Sequence, residues 1–300
     1  MSATHSRMRH KLIVLCLLAL ALPPVSTARP NRVPDKMTPE EVVAKHLEAI
    51  GTAEARAKIK SRIIQGTALA TFRVGGGGQS QGGSVLASQG EKSLISIVYN
   101  NSVYPYERMG FDGKTLTLSE VRPGVRSTLG KFLQAHEMLF REGLLGGTLS
   151  SAWPLFDMSA RTAKLRYAGM KKVGERKAHV LEYDAKNNTG LKTLLYFDAE
   201  TFQHLRSEYE QRIAQQMPGQ PSVTQQQGDA ISRIVEDFSD FRPEGGLNLP
   251  HTYKLQLSLE SLNRRTLQDW VFTLSKFTFN IPIADNEFDV STSSKTTSDK

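Results

Sequence analysis

The stretch STLGKFLQAHEMLFREGLLGGTLSSAWPLF, residues 127–156, decides how the chain is read. Leu129, Phe132, Leu133, His136 and Phe140 fall at i, i+3, i+4, i+7 and i+11, on one face of a helix, while Lys131, Gln134 and Arg141 lie off it. Leu144-Leu145-Gly146-Gly147 breaks the pattern, and Trp153-Pro154-Leu155-Phe156 follows as a bulky apolar cluster. The sequence on either side reads as β-strands. An apolar helical insert between two runs of strands has to bury its face, and the sheet is the surface on offer. It either fills that sheet face permanently or covers a removable ligand.

Working outward, strands are expected at 62–74, 84–89, 93–100, 104–111 and 114–121 before the insert. After it they are expected at 164–171, 177–184, 191–198, 202–213, 230–239, 249–260 and 266–279. Asp112-Gly113, Gly174-Glu175 and Asp198-Ala199-Glu200 mark tight turns. The run Gly75–Gly78 with Gly82-Gly83 predicts a glycine-rich hairpin loop, and the Gln- and Pro-rich residues 214–229 a longer one. Thr38, Pro39 and Glu41 form a helix start, Val42, Val43, His46, Leu47 and Ile50 the apolar face behind it, and Gly51 a stop. A second helix, capped by Thr52, is expected over 53–58.

A dozen strands joined by short turns imply an antiparallel meander, and a sheet that large curls. The expected fold class is mainly β (α+β): a curved antiparallel meander forming an unclosed β-barrel, with helices covering its concave face. Ser93–Asn100 and Trp270–Ile281 carry apolar residues on both faces, so the outer face should be partly shielded as well.

Arg7, Arg9 and Lys11 precede an eleven-residue apolar run, Leu12–Leu22, and Ser26 and Ala28 supply small residues before a cleavage point. Residues 1–28 therefore read as a signal peptide, which places the mature chain in the periplasm or outside the cell. Residues 29–290 are expected to be a single domain and 291–300 a disordered tail. The one cysteine, Cys16, lies in the apolar run, so the mature chain can use neither disulfides nor thiolates. Three of the 38 basic residues and none of the 30 acidic ones fall within 1–28, which leaves a net charge of about +5. That charge suits transient contact with an anionic membrane, but no basic run makes a nucleic-acid footprint.

Asp112-Gly113-Lys114-Thr115-Leu116 closes one strand and opens another. With the hairpin at Leu195-Tyr196-Phe197-Asp198 and Thr201, the segment Gly246-Leu247-Asn248-Leu249-Pro250, and Phe277, Phe279, Pro282 and Phe288-Asp289-Val290, it resembles the periplasmic outer-membrane lipoprotein carriers, the Lol-type lipoprotein-sorting family. The resemblance implies an unclosed barrel whose apolar interior, lidded by helices, holds acyl chains; it implies no enzyme activity and no cofactor. The carriers latch the lid with an arginine beside a proline, just ahead of the strand preceding the Asp-Gly-Lys hairpin. Here that region reads Ser88-Gln89-Gly90-Glu91, without an arginine. A ~14-carbon chain at ~0.8 kcal/mol per buried methylene offers roughly 11 kcal/mol gross, with no catalytic group required. The expected lining is Ile95, Ile97, Tyr99, Leu116, Leu118, Leu195, Phe197, Trp270 and Phe272, with Phe132, Leu139 and Phe140 from the insert. The same residues also read as plain core, because apolar alternation marks burial before it marks binding.

Other signals point elsewhere. Gly78-Gln79-Ser80-Gln81-Gly82 matches the serine-hydrolase pattern, but it sits in a glycine-rich run rather than on a strand-to-helix turn. His136-Glu137 opens like a zinc-protease helix, yet Phe140 stands at the second histidine position, and the remaining histidines show no metal-ligand spacing. His136 reads instead as a core histidine. Three functions remain: a binding protein for lipid or lipoprotein acyl chains, a regulatory protein binding an envelope protein partner through its surface and the 214–229 loop, and a secreted hydrolase using Ser80.

Overall fold

The computed structural model describes residues 37–73, 77–186, 190–213, 230–261 and 264–291. The expected signal peptide, the expected 214–229 loop and all but the first residue of the expected 291–300 tail lie outside the described residues.

Thr38 caps the first helix, α1 (Pro39–Ile50): its hydroxyl accepts from Glu41 N, and the Glu41 carboxylate accepts from Thr38 N at 2.8 Å. Val42, His46 and Ile50 form its buried stripe. The short α2 (Ala53–Lys58) follows, capped by Thr52.

Twelve strands then build one antiparallel sheet. They are β1 (Ser61–Phe72), β2 (Gly78–Gln89), β3 (Lys92–Tyr99), β4 (Tyr106–Phe111), β5 (Leu116–Leu118), β6 (Lys164–Val173), β7 (Arg176–Asp184), β8 (Lys192–Asp198), β9 (His204–Ile213), β10 (Ala230–Glu244), β11 (Leu247–Ser261) and β12 (Arg264–Phe279). Their spatial order is 5-4-3-2-1-12-11-10-9-8-7-6. One meander runs outward from β1 to an edge at β5. The other begins at the opposite edge, β6, and returns to lay β12 beside β1. β5 and β6 are not paired, so the barrel stays open.

This order fixes the role of residues 119–163. They join the two outermost strands, so they must cross the whole sheet. They do so over its inner face as α3 (Thr128–Ala135), α4 (Met138–Arg141) and three single 3-10 turns. Leu129, Phe132, Leu133, Leu139, Phe140, Leu144, Leu149, Trp153 and Leu155 join inward residues of nearly every strand in one core. The continuous helical face expected over 129–140 is interrupted: α3 ends at His136, whose φ of −125° leaves the helical region, and α4 is a separate turn.

Strand expectations change in extent at β2 and β5. β2 begins at Gly78, so Gly82 and Gly83 lie inside a strand and not in a loop. A Cβ at Gly82 would sit 2.0 Å from the Val98 carbonyl oxygen; the glycine permits that close approach of β3. The expected 114–121 strand shrinks to the three residues of β5, and Ser80 lies mid-strand in β2, its Oγ accepting from Asn101 Nδ2 at 2.7 Å. The strand-to-helix turn that a nucleophilic serine of that motif needs is therefore absent at Ser80.

The two-faced character of β3 has a direct cause. Ile95, Ile97 and Tyr99 face the insert, whereas Leu94 packs outward with Ala87, Ile283, Phe288 and Val290. The segment after β12 thus shields part of the outer face.

Candidate functional site

All twelve expected lining residues meet on the inner face. Ile95, Ile97, Tyr99, Phe132, Leu139, Phe140, Leu195, Phe197, Trp270 and Phe272 are buried in the main core; Leu116 and Leu118, on the short edge strand β5, are half-buried against it. Among the described residues their side chains pack against one another and against the insert. The void lined by Leu86, Ile95, Phe140, Leu145 and Leu149 measures about 20 Å³, room for roughly one water. The insert's own side chains fill the trough.

The insert is held at a few polar points, each on an inward position of a strand. Arg62, on the same face of β1 as Ile64, donates from Nη1 to the carbonyl oxygens of Thr148 (2.5 Å) and Ser150 (3.4 Å), with its guanidinium 5.3 Å from the Phe156 ring centre. Burial pushes its pKa down to about 10, so it remains charged at neutral pH. Beside it, Ser88 Oγ accepts from Ser151 N (2.9 Å). The arginine that meets the insert thus comes from β1 and not from residues 88–91. The sequence holds its signal: Arg62-Ile63-Ile64 puts a charge in phase with an inward isoleucine. Replacing Arg62 by methionine is expected to cost about 1–3 kcal/mol, since two buried carbonyls lose their donor. Urea unfolding measures it.

Two buried glutamates hold the insert from opposite halves of the sheet. Glu236 of β10 sits between Ile234 and Phe238 on the inward face. Its carboxylate accepts from Gly146 N (2.7 Å), Tyr253 Oη (2.6 Å) and Tyr209 Oη (2.7 Å). Glu107 of β4 accepts from Tyr104 Oη and from Ser127 Oγ (2.7 Å), and Ser127 Oγ in turn accepts from Gly130 N as the cap of α3. Burial raises each carboxyl to about 7, against the pull of these donors.

Tyr209 Oη also lies 3.1 Å from the Leu144 carbonyl oxygen. With Glu236 ionised, the tyrosine proton goes to the carboxylate. With Glu236 protonated, the carboxyl donates to Tyr209, which donates to Leu144. The network closes in either state.

The third fixture is aromatic. Trp153 Nε1 donates to His46 Nε2 (3.2 Å), and its ring stacks on His204 at 4.7 Å. His46 Nδ1 donates to the Phe202 carbonyl oxygen (2.9 Å). These roles require the neutral ring, and burial lowers the His46 pKa to about 4. His136 is buried against Phe132, at 4.4 Å between ring centres, with Nδ1 unpartnered. Among the described residues no group of three or more His, Cys, Asp or Glu side chains could hold a metal ion, and no helix is long and apolar enough to cross a membrane.

One feature escaped the sequence reading. A groove of about 670 Å³, within the size range of ligand pockets, lies between α1 and the edge strand β6. Val43, Leu47, Met158 and Leu165 line its apolar part, and Glu40, Lys164, Arg166 and Asp184 its polar part.

No protein-family model matches the sequence, and no curated protein matches it. Among solved structures the chain is similar to a LolA superfamily protein from Nitrosomonas europaea, at 12% identity over 84% of this chain and 97% of that one, with a TM-score of 0.47. It is similar to a DUF1329 family protein from Desulfovibrio piger, at 10% identity over 84% of this chain and 97% of that one, with a TM-score of 0.41. A domain from Vibrio parahaemolyticus assigned to outer membrane lipoprotein sorting gives 10% identity, 83% and 96% coverage and a TM-score of 0.41. These are likenesses of fold.

Proposed function

We propose that the chain is a periplasmic binding protein that holds lipid-anchored or amphipathic ligands against the inner face of its open barrel, with residues 127–156 as a displaceable plug. The observation that carries this reading is the seating of the insert. Apolar side chains such as Phe132, Leu139, Phe140 and Trp153 occupy the trough as an acyl chain would, and polar contacts hold them at a few separable points. A ligand displacing the insert must offset the insert's lost burial and its polar contacts, against which a ~14-carbon chain at roughly 0.8 kcal/mol per buried methylene sets about 11 kcal/mol gross. The α1–β6 groove, beside the unpaired edge, gives an incoming chain a first apolar surface. Release from a signal peptide after Ala28 places this activity in the periplasm, and outer-membrane lipoprotein sorting is the process it fits.

Native mass spectrometry of residues 29–300, purified from an envelope fraction without detergent, tests the reading. The expected result is a bound lipid mass that disappears when Phe132 and Phe140 are changed to aspartate in a chain that remains folded. A clean ligand-free mass that also takes up no added lipid would make the insert ordinary core.

A further inference from the structure

Arg108 and Arg126 stand apart from the other arginines of the strands. Arg206 is paired with Asp237 at 2.7 Å, Arg176 with Asp198 at 2.6 Å, and Arg233 with Glu210. Among the described residues neither Arg108 nor Arg126 has a carboxylate within ion-pair distance, and the Nε of each is buried without a hydrogen-bond partner. The side chain of Arg126 has one weak bond, from Nη1 to Gln134 Oε1 at 3.3 Å.

The two arginines line the same pocket. Arg108 alternates with Glu107 and Met109 on β4, so it points away from the core. Arg126 lies in the connection that leads into α3. The pocket, of about 190 Å³, is completed by Tyr106, Leu118, Ser119 and Glu120. Ser119 Oγ accepts from Arg108 N at 3.0 Å, which leaves its hydroxyl proton free to donate. Glu120, which also lines the pocket, accepts from Gly124 N at 2.8 Å and lies outside ion-pair distance of either guanidinium. Two like charges share a recess and leave donors unmet, an arrangement that costs free energy unless something fills it.

We infer that this pocket binds a phosphate-type oxyanion, gripped by the two guanidinium forks with Ser119 as a further donor. Guanidinium matches the planar edge of phosphate with paired N–H groups, and a shared anion removes the repulsion between the two arginines. The oxyanion comes either free in solution or as the headgroup of an anionic lipid, and the two sources present the same chemistry to the pocket. The pocket shares only Leu118 with the inner-face lining, and its grip on an anion does not depend on the plug reading.

The test uses the full chain with two probes: inorganic phosphate by calorimetry at constant ionic strength, and phosphatidylglycerol in phosphatidylcholine vesicles by co-sedimentation. Binding of either probe is expected, weakened at least tenfold in the Arg108→Gln, Arg126→Gln double variant. The paired Lys substitutions, which keep charge but lose the fork, should fall between. Phosphate binding without vesicle binding assigns a soluble anion; vesicle binding without phosphate binding assigns a headgroup. The double variant must keep wild-type thermal unfolding in chloride; if it does not, the two single Gln variants are judged by the same criterion. Failure of both probes to bind, or equal binding by the Gln variants, overturns the site.

Discussion

Replacing Glu236 by leucine lowers the unfolding free energy by about 3–5 kcal/mol, the range for removing one partner of a buried charged network. Gly146 N and Tyr253 Oη lose their acceptor inside the core, and Tyr209 Oη is left with the Leu144 carbonyl oxygen. Glutamine behaves differently. Its carbonyl accepts from Gly146 and Tyr253, and its amide donates to Tyr209, which turns to Leu144. It reproduces the protonated carboxyl. Glu236 titrates near 7 in the folded chain and near 4.5 when unfolded. Between those values the folded state binds the extra proton, so this group's contribution is fully present below about pH 4.5 and is lost as pH rises through 7. The loss amounts to about 3 kcal/mol at one pKa unit per 1.36 kcal/mol. His46 and His204, whose pKa values burial lowers, pull the opposite way below pH 6.5, and Glu107 adds a slope like that of Glu236. The readout is therefore the difference between Glu236→Gln and wild type in urea unfolding. It should shift toward the variant by about 3 kcal/mol from pH 4.5 to pH 8. A constant difference would mean that Glu236 does not titrate in this window.

Trp153→Ala is expected to cost about 3–5 kcal/mol, as large-to-small changes of buried aromatic residues do. The side chain is 1% exposed, stacks on His204 and gives its indole proton to His46. Its loss opens a cavity and, among the described residues, leaves His46 Nε2 without a hydrogen-bond partner. Trp153→Phe keeps most of the packing and should cost about 1–2 kcal/mol, since it forfeits mainly the hydrogen bond. If the insert is a plug, loosening this fixture also raises uptake of a hydrophobic fluorescent probe by the folded chain. Calorimetric unfolding and probe titration on the same samples separate the two effects.

The strands were legible because period-two alternation and turn residues agree along most of the chain, as across Leu255-Gln256-Leu257-Ser258-Leu259 and at Asp112-Gly113. The inward position of the expected lining residues was legible for the same reason. The polar fixtures were visible only in part. Glu236 between Ile234 and Phe238, Glu107 ahead of Met109 and Phe111, and Arg62 ahead of Ile64 each place a charge in phase with inward apolar residues. That phase says the charge is buried but not what it meets, because the partners are backbone groups of the insert, at Gly146, Thr148 and Ser150. Backbone groups carry no sequence signal. The break at His136 was hidden for a related reason: the apolar spacing continues through it, while the topology requires the chain to turn and cross the sheet. The α1–β6 groove depends on how a helix settles beside a strand edge, which no local pattern records.

The central pairing of β1 with β12 governs how the chain folds. Among the described residues ten of the eleven strand ladders join consecutive strands, and one does not: Arg62 opposite Phe279 begins a seam between segments about 200 residues apart. Each arm of the sheet can form from local hairpins, but the seam must close a loop containing nearly the whole domain. Such long-range closure is the slow step in β-rich folding. Until it closes, β1 and β12 each present an open, apolar strand edge ready to pair with another molecule. Truncating the chain before residue 264 would make that transient state permanent and turn an internal seam into a site of aggregation.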